Sequence, residues 1–330
     1  MKILMFGWEF PPHISGGLGT ACYGLTKSLS QLGGSEVTIV LPKLFGDEDN
    51  SIARLISAES VDIGFRALKY RYATATLTLE ELRRLISAYI SPEEYHRIIN
   101  KRTSENTSGL KRKASNSLSF SGKYGTSLFE EIEGFSEVGY VLGSEGGFDI
   151  IHAHDWLTYP AAIAAKKASG KPFIAHIHAT EFDRSGDYSH PAIKRIEREG
   201  LHMADRIIAV SNFTKAIVAN NYDIAPEKII TVHNGVDQFP APAGIKKSGP
   251  EKIVTFMGRV TRQKGPDAFI RAASSVLMKR DDVRFVMAGN GDMYEKMVQY
   301  AAHLRISDRF HFTGFLKSSD VNRLLTQTDL

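Results

Sequence analysis

With a single cysteine, Cys22, the 330-residue chain can form no internal disulfide and no cysteine-only zinc cage, which fits a reducing compartment. Long apolar runs are missing too. The first, Ile3 to Phe6, stops at Glu9 and Pro11-Pro12, and none approaches the roughly 20 residues that cross a bilayer. No transmembrane segment and no export signal is therefore expected, and the cytoplasm is the expected location. No charge of one sign dominates: 41 Lys plus Arg stand against 37 Asp plus Glu, a dispersed net +4 that argues against nucleic acid as a partner. No internal repeat is visible, and oligomeric state leaves no legible mark. What remains, with 42% hydrophobic and 24% charged residues, is the composition of a soluble globular chain that can fill two cores.

The apolar pattern alternates between strand and helix. Lys2 to Phe6 reads as a short buried strand, Ser15 to Gly19 as a glycine-rich turn, and Thr20 to Leu32 as a helix through Leu25, Leu29 and Leu32. Further strands are expected at Val37 to Leu41, Phe148 to Ala153, Pro172 to Ile177, Arg206 to Val210 and Lys228 to Val232. Asn100 to Ser127 is rich in Ser, Lys, Arg and Gly and is expected to be a flexible, solvated insertion. Gln238 to Pro250, with three prolines and two glycines, reads as a linker. The alternation then restarts, with strands at Lys252 to Met257, Val283 to Ala288 and Arg309 to Phe312. The expected class is α/β, with doubly wound parallel sheets in two domains, 1–240 and 241–330. Three strands make a small second domain with an open sheet edge, so the chain is expected to be C-terminally incomplete.

Several constellations carry chemistry. Gly16, Gly17 and Gly19 lie between the first strand and the first helix, where backbone N–H groups at a helix N-terminus suit an anion or a sugar hydroxyl; a tight turn is the plainer use. His152, His154 and Asp155 end one strand, and His176 and His178 end another. Residues two apart share a strand face, so both imidazole pairs are expected in one crevice at the carboxyl ends of the sheet. Four imidazoles and a carboxylate also fit a divalent metal, which keeps a metal-dependent hydrolase open. Arg259 and Lys264, flanked by Gly258 and Gly265 and followed by Pro266 at a helix start, suit a diphosphate. Gly289, Asn290 and Gly291 form a second glycine turn at a strand end, expected to line the same crevice. Asp47-Glu48-Asp49 reads as a solvated charge run, and Cys22 as a small core residue.

The order of these motifs resembles the retaining GT-B glycosyltransferases of families 4 and 5, which include glycogen and starch synthases. The resemblance rests on Trp8-Glu9-Phe10-Pro11-Pro12, Ser15-Gly16-Gly17-Leu18-Gly19, Asp149 to Trp156, His176-Ile177-His178-Ala179-Thr180-Glu181, Ala209 to Phe213, His233-Asn234-Gly235-Val236-Asp237 and Gly258-Arg259 to Lys264-Gly265. It implies two Rossmann-like domains across a cleft, the first on the acceptor side and the second taking a nucleotide diphosphate sugar, UDP- or ADP-linked. The donor is a substrate; no separate cofactor and no metal are implied. The acceptor is a carbohydrate or polysaccharide, with α-glucan favoured. His178, Arg259, Lys264 and Asp155 are the implied catalytic residues, and Glu9, Gly16, Gly17, Gly19, His154, Asn234, Gly289, Asn290 and Gly291 the implied substrate contacts. Ser15 stands where family 5 glucan synthases carry a Lys, and the family's paired carboxylates, seven residues apart, fall just beyond Leu330. A non-catalytic nucleotide-sugar-binding module is the second alternative.

Overall fold

The computed structural model describes residues 1–14, 17–63, 117–125, 127–186, 189–236, 247 and 249–330. They divide into two compact units, the first ending at Val236 and the second running to Leu330.

Unit one is built on a seven-stranded parallel sheet. Its strands are β1 (Lys2–Phe6), β2 (Glu36–Leu41), β3 (Arg54–Ser57), β4 (Ile150–His154), β5 (Phe173–Ile177), β6 (Arg206–Ala209) and β7 (Ile229–Thr231), in the order β3-β2-β1-β4-β5-β6-β7. Its helices are α1 (Gly17–Gln31), α2 (Leu128–Glu145), α3 (Tyr159–Ser169), α4 (Glu181–Ser185), α5 (Pro191–Met203) and α6 (Asn212–Tyr222). The central strands are near-continuous apolar runs because both faces are covered: Met5, Phe6, Val40, Ile151, Ala153, Phe173, Ile177 and Ala209 have no exposed surface. The strand order reverses between β1 and β4, and ligands of doubly wound sheets bind beyond the carboxyl ends of such a pair.

Tight helix packing supports this end of the sheet. A Cβ on Gly139 of α2 would sit 2.2 Å from the carbonyl oxygen of Ala161, and one on Gly143 2.6 Å from that of Ala165, so the backbones of α2 and α3 nearly touch. The flexible insertion expected at 100–127 is corrected in part. Residues 100–116 and 126 lie outside the described residues, but Leu118, Phe120 and Tyr124 are buried. Phe120 meets Phe135 edge-on at 6.3 Å, and the Glu131 carboxylate accepts the Ser121 hydroxyl at 2.6 Å and the Ser127 hydroxyl at 3.0 Å. Three large apolar side chains spaced through a serine-rich stretch are enough to anchor it.

Unit two carries β8 (Lys252–Met257), β9 (Val283–Ala288) and β10 (Phe310–Gly314), parallel in the order β10-β9-β8, with α7 (Pro266–Leu277), α8 (Tyr294–His303) and α9 (Ser318–Gln327). Val260, Ile270, Met287, Met297 and Ala301 form its core. The edge of β8 is partly covered: Asp329 and Leu330 donate N–H bonds to the Ile253 carbonyl, and Thr255 donates to the Leu330 carbonyl. Most of the linker expected at 238–250 lies outside the described residues. Among the described residues no helix is long and apolar enough to cross a membrane.

Candidate functional site

The four strand-end histidines of unit one come together as a ladder of imidazoles. Parallel register pairs His154 with His176, and the two-residue repeat puts His152, His154, His176 and His178 on one face of the sheet. His152 Nε2 lies 3.2 Å from His176 Nδ1, and His154 Nδ1 lies 3.0 Å from His178 Nε2. The His152 and His176 rings stack nearly parallel at 5.3 Å, and those of His176 and His178 at 4.4 Å. Burial is the main reason all four stay neutral. His152 and His154 are held well below the ordinary imidazole value, His176 at about 3 and His178 at about 4, with neighbouring imidazoles adding to the first three. A neutral imidazole offers one donor and one acceptor, which suits a sugar hydroxyl.

This neutrality has a cost in acid. Between about pH 6.5 and 4 the unfolded chain binds protons that the native histidines refuse, so this group makes stability rise with pH. Asp155 and Glu197 act in the opposite direction. Burial pushes their carboxyls up to about 6 and about 7, so the native chain holds protons there that the unfolded chain has lost. His176→Gln should therefore flatten the acid slope, with a change approaching about 1.4 kcal/mol per pH unit for one proton. Urea unfolding of both proteins across pH 4 to 7 checks this, and parallel stability curves would count against it.

Asp155 lies among these histidines but points away from a substrate role. Its backbone is left-handed (φ 58°), its N–H donates to the His176 carbonyl at 2.9 Å, and its buried carboxylate accepts the His178 N–H at 2.7 Å. It stitches the end of β4 to the end of β5 and sets where His178 begins, a positioning role. The next residues are tied down from behind. Arg184 donates to the Ala179 carbonyl at 2.7 Å, to Glu181 at 3.2 Å and to Glu197 at 2.6 Å, while the Tyr222 hydroxyl donates to Glu197. Arg184, Glu197 and Tyr222 carry no signal in the sequence, because they come from three helices and share no spacing.

The glycine turn behaves differently at each position. Gly16 lies outside the described residues. Gly17 opens α1 with free space where a Cβ would stand, whereas a Cβ on Gly19 would meet Ile14 at 2.4 Å and Glu9 at 3.1 Å. Gly19 is thus required by packing under the 9–14 segment, and Glu9 is buried there. Asn234 is exposed after β7, next to His233, whose Nδ1 lies 3.1 Å from the Val210 carbonyl. Asp47, Glu48 and Asp49 mostly serve their own loop: Glu48 accepts the Phe45 and Gly46 N–H groups, and Asp49 accepts from Ser51 and Tyr23.

In unit two the basic loop and the second glycine turn are laced together. Gly258 donates to the Ala288 carbonyl at 3.0 Å, Val260 to that of Asn290 at 2.9 Å, and Met293 to that of Val260 at 3.0 Å. Gly289 sits at φ 135°, and a Cβ there would lie 1.8 Å from the Gly258 oxygen. Gly289→Ala should lose about 3 kcal/mol or more of stability. Chemical denaturation measures this, and a wild-type value would contradict this packing. Past this brace, Arg262–Lys264 form one 3-10 turn and Gly265, left-handed at φ 64°, caps α7. Arg259 is half-buried, with Nη2 3.4 Å from Gln263 Oε1, and Lys264 is exposed. Both cations stand on the loop that leads into a helix N-terminus, a setting for phosphate.

A doubly wound parallel sheet, with a second parallel α/β unit that carries a glycine-braced basic loop, defines a two-unit α/β protein. Residues 135–238 match the family Glycosyltransferase Family 4 and residues 238–330 match Glycosyl transferases group 1, and the chain belongs to these GT-B glycosyltransferases. Over its whole length it is 25% identical to an uncharacterised glycosyltransferase of Methanocaldococcus jannaschii, spanning 73% of that protein. It is 24% identical to a glycogen synthase of Mycobacterium tuberculosis, spanning 71% of it. Among solved structures, sucrose-phosphate synthase from Thermosynechococcus elongatus superposes with a TM-score of 0.63 at 14% identity, over 99% of this chain and 74% of that one. Anabaena HepE in complex with UDP-glucose does so with a TM-score of 0.55 at 13% identity, over 100% of this chain and 72% of that one.

Proposed function

We propose that this glycosyltransferase moves a hexosyl group, glucosyl in the favoured case, from a UDP- or ADP-linked sugar to a carbohydrate hydroxyl with retention of configuration. An α-glucan is the favoured acceptor. Unit two takes the donor diphosphate, and the strand ends of unit one take sugar hydroxyls. The observation that carries the reading is the Gly258 to Gly265 loop, which places Arg259 and Lys264 ahead of a helix N-terminus and is braced by Gly289 and Gly291. The glycogen synthase relative and the UDP-glucose bound to HepE support the donor class.

The chemistry follows charge. As the anomeric C–O bond breaks, negative charge grows on the departing diphosphate and the sugar becomes oxocarbenium-like. Fixed cations on the phosphate side stabilise that state more than the bound donor. His154 and His178, neutral and tied to each other, orient sugar hydroxyls without adding positive charge beside the cationic ring. The acceptor hydroxyl then attacks from the face the nucleotide leaves, and its proton passes to the departing diphosphate oxygen.

Calorimetric titration of UDP, ADP and GDP, each with and without EDTA, tests this, followed by transfer assays with the matching nucleotide sugars. Binding of one nucleotide that survives EDTA, with transfer from its sugar, is the expected result. EDTA-sensitive hydrolysis in place of transfer would instead favour a metal-dependent hydrolase on the histidine ladder. Tight nucleotide binding with no transfer would favour a binding module.

A further inference from the structure

Cys22 is the single cysteine of the chain, and the transfer reaction gives it no work. It is buried on α1, and its sulfur and one ring nitrogen from each of His154 and His178 all lie within 4.8 Å of one another. His154 is also part of a second set at the same spacing, with His152 and His176. Two observations turn this proximity into a site.

The first is spacing. A tetrahedral zinc-class ion with metal–nitrogen bonds of about 2.0 Å sets its ligand atoms about 3.3 Å apart, and His154 Nδ1 and His178 Nε2 are already 3.0 Å apart. The second is donor chemistry. One thiolate and two imidazoles select zinc, cobalt or copper over magnesium or calcium. The carboxylates of Glu9 and Asp155 lie close enough for their charge to act on the thiol, so a cation entering here meets two anions.

We propose that Cys22, His154 and His178 form a binding site for a soft divalent transition-metal ion at the carboxyl ends of β1, β4 and β5, with the fourth position left to solvent. Binding exchanges the thiol proton for the ion and releases that proton to solvent. The one hydrogen between the two imidazoles moves to the outer nitrogen of the ring that donated it, and the other ring already carries its hydrogen there. The exposed trio His13, Asp47 and Glu48, whose ligand atoms show the same spacing, offers mainly hard oxygen donors and serves as the internal control. One consequence rests on the proposed transfer reaction: an ion here removes His154 and His178 from the sugar and inhibits transfer.

The test is titration of the purified chain with Co²⁺, read by absorption. The expected result is one saturable equivalent with visible d–d bands of tetrahedral intensity and a near-ultraviolet thiolate-to-cobalt band. Cys22→Ser should abolish the near-ultraviolet band, and His178→Gln should weaken cobalt binding about tenfold or more while the fold, checked by circular dichroism, is kept. His13→Gln should leave the spectrum unchanged. No saturable spectrum, a thiolate band that persists in Cys22→Ser, or a spectrum lost in His13→Gln would overturn the site. Because the readout is spectroscopic, saturation by Zn²⁺ without loss of transfer would place the fault in the sugar-facing role of the histidines and leave the metal site standing.

Discussion

Arg259→Ala and Lys264→Ala are each expected to lower kcat for transfer by about 10²- to 10³-fold, the usual cost of removing one donor that is aimed at developing charge. The two side chains stand on a loop with little freedom. Its backbone is bonded to β9 and to the Gly289–Gly291 turn on one side, and it ends in the left-handed Gly265 ahead of α7 on the other. A cation held this way needs no reorganisation as the diphosphate gains charge. Neither truncation empties the core, since Lys264 is exposed and Arg259 half-buried, so both variants should fold. Arg259→Lys keeps the charge but loses the planar fork, and should recover only part of the rate. Steady-state kinetics with the nucleotide sugar that binds separates the cases. A fall in kcat marks a contact made in the transition state, whereas a rise in KM alone marks uniform binding. Unchanged transfer in both alanine variants would refute the diphosphate assignment.

How far the sequence reveals this molecule depends on whether a feature is carried by one element or by several. Strands β1, β2 and β4 to β10 are legible because each is a short apolar run bounded by turn residues, and the alternation with helices predicts parallel sheets. β3 is not: its four residues are at most half-buried at the sheet edge and sit among polar neighbours. α2 is masked by Gly134, Gly139 and Gly143, which weaken a helical pattern, although the last two are what let α3 approach. The histidine ladder is legible from the two-residue spacing at strand ends, since period alone puts both pairs on one face. Its neutrality is not, because that comes from burial among helices whose packing no local pattern describes. Gly19 reads in the sequence as part of a turn that suits an anion or a sugar hydroxyl, or as a plain turn glycine, whereas in the structure its nearest neighbours are Ile14 and Glu9. Gly289 shows the converse: a turn glycine by pattern becomes a brace once the loop of β8 lies against it.

Arg184→Ala should be the most destabilising single change in unit one outside the apolar core, at about 3 to 5 kcal/mol. Its guanidinium is buried, as are the two carboxylates it joins: the side chain of Glu197 is fully enclosed and that of Glu181 only 5% exposed. Removing it leaves Glu197 with the Glu181 N–H and the Tyr222 hydroxyl but no counter-charge. Burial already raises the Glu197 carboxyl to about 7 against the opposing charge of Arg184, so the variant should hold that proton at higher pH still. Its native state then binds a proton that the unfolded chain, with an ordinary carboxyl, has lost. The variant's stability should go on falling as pH rises above about 7, where the contribution of this group in the wild type levels off. Adding Glu197→Gln removes the uncompensated charge, so the double variant should be less destabilised than the sum of the two single changes. The Ala179 carbonyl also loses its partner, which frees the segment that follows His178. Transfer should therefore weaken in Arg184→Ala even at temperatures where the protein stays folded. A double-mutant cycle by urea unfolding at pH 5, 6.5 and 8 measures the coupling, and strict additivity at all three would mean that Arg184 and Glu197 do not act as a unit.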